Sequence, residues 1–125
     1  MKTVHTQEQK ATLNKMVQLL DIFRSLDPLT DTTIGEAVAL LNIAISEQKN
    51  GDAITITELG EKSGFSLASS SRYVRSLSTQ DRQGREGLGL VDSSRDPLND
   101  RRKLLTITPE GAKVLAKVIK IMESK

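Results

Sequence analysis

The chain has 125 residues, enough for one domain of ordinary size. Its 37% apolar and 27% charged content argues against wholesale disorder, and with only 2% aromatics the core must be aliphatic. Cysteine is absent, which excludes disulfides, thiol redox sensing, thiolate nucleophiles and zinc–cysteine sites.

Residues 8–25 place Leu13, Met16, Val17, Leu20 and Phe23 at three- and four-residue spacing and are predicted as an amphipathic helix. Asp27-Pro28 ends it, because a residue before proline is biased out of the helical region. Thr33-Ile34-Gly35-Glu36 has the form of a capping box and opens a second helix. That helix carries Ile34, Val38, Leu41 and Ile45 in one stripe, with Ala37, Leu40, Ile43 and Ala44 on neighbouring faces. A helix so apolar is expected at the centre of the domain. After the turn signal Asn50-Gly51-Asp52, the alternating Ala53-Ile54-Thr55-Ile56 suits a short strand. Thr57 is expected to cap a helix over 58–63 that stops at Gly64. Ser66 is expected to cap another through Leu77, with Ser70, Val74 and Leu77 on one face. Residues 78–87 are polar and glycine-bearing, hence a loop. Leu88–Asp92 and Lys103–Thr108 are predicted as strands joined by a charged, turn-rich tip. Pro109 fits the first position of a last helix capped by Thr108, with Ala112, Leu115, Val118, Ile119 and Met122 on one side. The expected fold class is therefore mainly α with a small antiparallel β-sheet, a winged helix-turn-helix with flanking N- and C-terminal helices.

Formal net charge is only +2, but its distribution is uneven. The stretch before residue 66 sums to about −3 and residues 66–105 to about +3. Seven of the eight cations in the second stretch are arginine, the side chain suited to phosphate forks and guanine edges. A helix that enters a duplex major groove needs short polar residues and arginine on its outer face. The helix from Ser66 has them. Leu67, Ala68, Ser69 and Arg72 lie on or near one outward face with Ser71 beside them, and Arg75, one turn on, suits phosphate. The hairpin tip with Arg95, Arg101, Arg102 and Lys103 suits the negative potential of a minor groove, Asp96 or Asp100 orienting a neighbouring arginine. The plainer alternatives are a solvated serine-rich helix and an exposed charged loop.

Catalysis and metal binding find no footing. A calcium loop counted from Asp92 has Pro97 and Lys103 where glycine and glutamate are needed. Serines 69–71 lack a glycine elbow, and the only histidine, His5, lies near a polar N-terminus. No enzyme activity, cofactor or metal is expected. No segment approaches the roughly 18 apolar residues of a membrane span. Met1–Gln7 has no apolar signal core, so no membrane partner and a cytoplasmic location are expected.

Leu59-Gly60-Glu61-Lys62, the turn at Gly64-Phe65 and the serine-rich run Ser66 to Arg72 resemble the helix-turn-helix of the MarR-type winged-helix regulators. Gly89-Leu90-Val91, Asp96-Pro97, Asn99-Asp100-Arg101-Arg102 and Ile107-Thr108-Pro109-Glu110-Gly111 resemble the family's wing and the turn that closes it. The resemblance covers roughly residues 33–118. It implies a homodimer on double-stranded DNA, with recognition helices in successive major grooves of a pseudo-palindrome and wings in the flanking minor grooves. Carried across, Ser66, Ser69, Ser71 and Arg72 face the major groove. The wing arginine is Arg102, two after Asp100, or Arg101, two after Asn99, because this strand is one residue shorter than the usual pattern. The 78–87 loop, with Arg82 and Arg85, is longer than the family's link, and the last helix is shorter than its usual dimerisation region. Family members often release DNA on binding small aromatic or phenolic effectors, but few aromatic groups here point to one.

The expectation is thus one winged-helix DNA-binding domain over 1–125, with the helix-turn-helix at 57–77 and the wing at 88–108. Helices 8–25 and 110–123 are expected to dimerise, since one small domain can hardly bury both stripes itself. The corresponding function is sequence-specific transcriptional regulation, as a repressor in most of the family. The competing function is a winged-helix protein-interaction module or a phage- or plasmid-type accessory (replication) protein.

Overall fold

Each of the five helices among the described residues begins on a serine or threonine whose hydroxyl oxygen accepts a first-turn amide. Such a cap contributes about 1 kcal/mol. The computed structural model describes residues 4–26, 32–47, 53–78, 87–96 and 99–124, with 95, 96 and 99–103 given by their backbone alone. Along the chain these form α1 (Gln7–Arg24), α2 (Ile34–Ser46), β1 (Ile54–Thr55), α3 (Ile56–Ser63), α4 (Leu67–Leu77), β2 (Val91–Asp96), β3 (Asn99–Ile107) and α5 (Pro109–Glu123). The fold is mainly helical with a small antiparallel sheet, as expected. Thr6, Thr33, Ser66 and Thr108 cap α1, α2, α4 and α5, so three of the sequence-assigned caps stand and Thr6 joins them.

The start of α3 is a correction. Thr55, not Thr57, is the cap, because Glu58 lies three residues beyond Thr55 and its carboxylate accepts the Thr55 amide at 3.0 Å. Three residues beyond Thr57 is Gly60, which has no side chain to accept one. The strand predicted at 53–56 shrinks to Ile54–Thr55 for the same reason.

The three strands pair in the order β1-β3-β2, antiparallel throughout. Val91 faces Ile107, and the register continues to Arg95 opposite Lys103 before breaking, so that Asp96 faces Asn99. Asp100, Arg101 and Arg102 therefore bulge out of the ladder on the β3 side. The first wing strand begins at Val91, not Leu88. The Leu88, Gly89 and Leu90 amides donate instead to the Ser76, Ser78 and Leu77 carbonyls at 3.0, 3.0 and 2.8 Å. These three bonds fasten the root of the wing to the C-terminal end of α4.

The aliphatic core comes from every helix and both long strands. Leu40 and Ile43 of α2, Leu59 of α3, Val74 and Leu77 of α4, Val91 and Leu105 of the sheet, and Val114 and Val118 of α5 are buried together with Phe23. Helix α2 is central, but its buried stripe is Ala39, Leu40, Ile43 and Ser46 rather than the predicted one. Ile34 (75% exposed) and Ile45 face out. In α5 the predicted side also divides. Val118 is buried and Leu115 packs on the core, while Ile119 and Met122 are exposed and Val114 and Gly111 take the inner positions. Helix α1 buries only Phe23 and leaves Leu13, Met16, Val17 and Leu20 about half exposed. It packs on α5, and Lys15 Nζ donates to the Ser124 carbonyl.

Gly111 closes the base of the wing. A Cβ there would overlap the Leu90 carbonyl oxygen and come within 2.9 Å of Ile107 Cγ2, while Leu90 also accepts the Thr108 amide at 3.1 Å. Gly111→Ala is therefore expected to lower stability by about 1–3 kcal/mol through overpacking. Urea unfolding should show this as a lower midpoint with an unchanged m-value.

Candidate nucleic-acid interface

The helix-turn-helix is built from α3, a three-residue turn and α4. Gly64 ends α3 in the left-handed region (φ 77°), where a side chain would be strained, and its amide donates to the Gly60 carbonyl. The Phe65 amide donates to the same oxygen at 2.9 Å, and Ser66 then caps α4 by accepting the Ser69 amide at 3.1 Å. The two helices meet at small residues. A Cβ on Gly60 would lie 2.8 Å from Ser70 Oγ, which is buried without a hydrogen-bond partner among the described residues.

Helix α4 turns Ser70, Val74 and Leu77 inward, the face expected from its periodicity. Ser66, Leu67 (62% exposed), Ala68 and Arg72 are exposed, and Ser69, Ser71 and Arg75 are half-buried beside them. The exposed end is the helix N-terminus, where unpaired amides and the helix dipole favour an anion. All seven candidate residues from Ser66 to Arg75 thus belong to one helix, with small side chains flanking Arg72. The wing candidates lie on the hairpin. Arg95 faces Lys103 across the ladder, Asn99 faces Asp96, and Asp100, Arg101 and Arg102 occupy the bulge. Their side chains lie outside the description, as do Pro97 and Leu98 at the tip and Arg82 and Arg85 in the 79–86 stretch.

The helix is also braced by residues that the sequence did not single out for the site. Tyr73 sets its ring edge-on to Phe65, centroids 5.0 Å apart at 66°, and the Arg72 guanidinium carbon lies 5.4 Å from the Tyr73 centroid. The ring tip fills the space over Gly35, where a Cβ would overlap it. One turn on, Ser76 Oγ donates to Glu36 Oε2 at 2.6 Å, while Glu36 Oε1 completes the cap of α2. The first turn of α2 therefore holds α4 through a ring and a carboxylate. Farther along, Asn42 Nδ2 donates to Ser63 Oγ at 2.8 Å and Lys62 Nζ to Ser46 Oγ at 2.9 Å, which ties α2 to α3. Among the described residues, no cluster of histidine, cysteine and carboxylate side chains could hold a metal ion. No described helix is long and apolar enough to cross a membrane.

No protein-family model matches this sequence, and no curated protein matches it either. Solved structures do match. A MepR variant from S. aureus bound to an oligodeoxyribonucleotide aligns with a TM-score of 0.71 over 96% of this chain and 78% of its own, at 17% identity. The PcaV transcriptional regulator from Streptomyces coelicolor, in complex with its natural ligand, aligns with a TM-score of 0.57 over 98% and 78%, at 21% identity. The fold is the winged helix of the MarR-type regulators. BpsR of Bordetella bronchiseptica, whose DNA binding is regulated by 6-hydroxynicotinic acid, shares that winged-helix frame with a TM-score of 0.56 over 94% of this chain and 80% of its own, at 19% identity.

Proposed function

We propose that this chain is a homodimeric, sequence-specific regulator of transcription, acting as a repressor on duplex DNA. The observation that carries the reading is the division of α4. One face anchors in the core through Ser70, Val74 and Leu77, and the other offers Ser66, Leu67, Ala68 and Arg72 to a partner. Small residues let the backbone approach base edges, Arg72 supplies a fork for guanine, and Leu67 an apolar contact for a thymine methyl. Ser69, Ser71 and Arg75 extend the polar surface toward the phosphates. The MepR structures solved with DNA support the same use of the frame in this chain.

The wing completes the reading with charge. Arg95, Arg101, Arg102 and Lys103, with Asn99 and Asp100 between them, form the minor-groove element. The bulge sets Arg101 and Arg102 off the ladder together, which makes the pair the natural unit to test. Changing both to Ala is expected to weaken binding to every duplex and to flatten the slope of log affinity against log salt by about one to two units. A salt series of fluorescence anisotropy titrations measures this. An unchanged slope would remove the wing from the interface, and weak, sequence-independent binding by the parent chain would favour a protein-interaction module.

A further inference from the structure

We infer that Tyr73 is the positioning residue that aims Arg72 at DNA, an inference that rests on the DNA-binding reading above. An exposed arginine on a helix has many rotamers, and ordering it on binding costs entropy. Here its guanidinium sits over an aromatic ring at 5.4 Å, inside the range of cation–π attraction. The choice of partner matters. A carboxylate would orient Arg72 but also cancel its charge and occupy its N–H donors. A neutral ring attracts the cation through its quadrupole and leaves the donors for guanine O6 and N7.

The ring is itself held from two sides. Phe65, in the turn between α3 and α4, meets it edge-on at 5.0 Å, and Gly35, in the first turn of α2, leaves room for its tip. Any side chain at position 35 would displace the ring. The Ser76–Glu36 bond, one turn from Tyr73, fixes the same face of α4 on α2. The direction of Arg72 is thus set from α2, an element that need not touch DNA.

The test is a double-mutant cycle on the duplex sequence that the parent chain selects. Arg72→Ala is expected to weaken binding by about 5- to 150-fold. Tyr73→Leu should weaken it by about 2- to 5-fold, and that loss should vanish in the Arg72→Ala background. It should also vanish on a duplex whose Arg72-contacted guanine has been replaced. Tyr73→Phe keeps the ring and should bind like the parent, while Gly35→Ala, which displaces the ring, should reproduce the pattern of Tyr73→Leu. Because Tyr73 is the only tyrosine and the chain has no tryptophan, tyrosine emission of the free protein isolates this ring, and Arg72→Ala should alter it.

Two results overturn the role of Tyr73 alone: losses that add in full between Tyr73→Leu and Arg72→Ala, or a Tyr73→Leu loss that is equal on every sequence. Either would make Tyr73 a packing residue. A parent chain that selects no duplex sequence removes the DNA-binding reading, and the role of Tyr73 with it.

Discussion

Changing Leu20 and Ile119 to lysine is expected to yield a folded monomer whose duplex affinity falls by about 10²- to 10⁴-fold. Both residues are exposed in the single chain, so the substitutions remove nothing from the core formed by Phe23, Val114 and Val118. They lie in apolar stripes left exposed among the described residues. Leu13, Met16, Val17 and Leu20 follow helical spacing along α1, and Ile119 and Met122 do so along α5, which packs on α1. Apolar area concentrated in this way on a small domain marks an interaction surface, and burying it against a second copy gains about 25 cal/mol per Å². A lysine placed there loses hydration without gaining a partner. The affinity loss follows from geometry. Two linked half-site contacts exceed one by 10²- to 10⁴-fold, and the monomer keeps only one. Sedimentation equilibrium with anisotropy titration checks both parts. A parent chain that is monomeric yet binds DNA just as tightly would contradict the dimer.

Arg72→Ala is expected to reduce specific binding by about 1–3 kcal/mol and to relax base preference at one position of each half-site. Arg72 is exposed beside Ala68 and Leu67 on the outward face of α4, and its removal leaves the buried face untouched. Arg75, half-buried one turn on, makes the informative contrast. A phosphate contact there carries no sequence information, so Arg75→Ala should weaken all duplexes alike. Repeating the duplex selection with each variant separates the two roles. If Arg72→Ala returned the parent's motif at undiminished affinity, the outward face of α4 would not be the reading surface.

Local chemistry made most of the fold legible. Thr33 with Glu36, Gly64, Ser66 and Thr108-Pro109 are short-range signals, and each marks a boundary of the structure. The shortfalls have specific causes. At α3 two threonines compete for the cap, and only Thr55 has a glutamate at the right spacing. Helix α2 is apolar on several faces, so periodicity could not tell the Ala39–Leu40–Ile43 stripe from one through Ile34 and Ile45, which tertiary packing leaves outside. At Leu88–Leu90 the residue types suit a strand, but their amides bond to the end of α4, a contact that no local pattern encodes. The candidate site divides in the same way. Serines and arginines on α4 announce themselves by type, whereas Tyr73 and Gly35 matter through a contact across 38 positions of sequence. The one available signal was that Tyr73, the chain's only tyrosine, stands next to Arg72.

The most direct test of a sequence-specific, dimeric regulator is selection of bound duplexes from a random pool at about 0.15 M salt, where purely ionic binding is suppressed. The expected result is enrichment of a pseudo-palindrome whose half-sites lie about one helical turn apart. A pool that stays unenriched, with only weak binding that salt abolishes, would contradict the account.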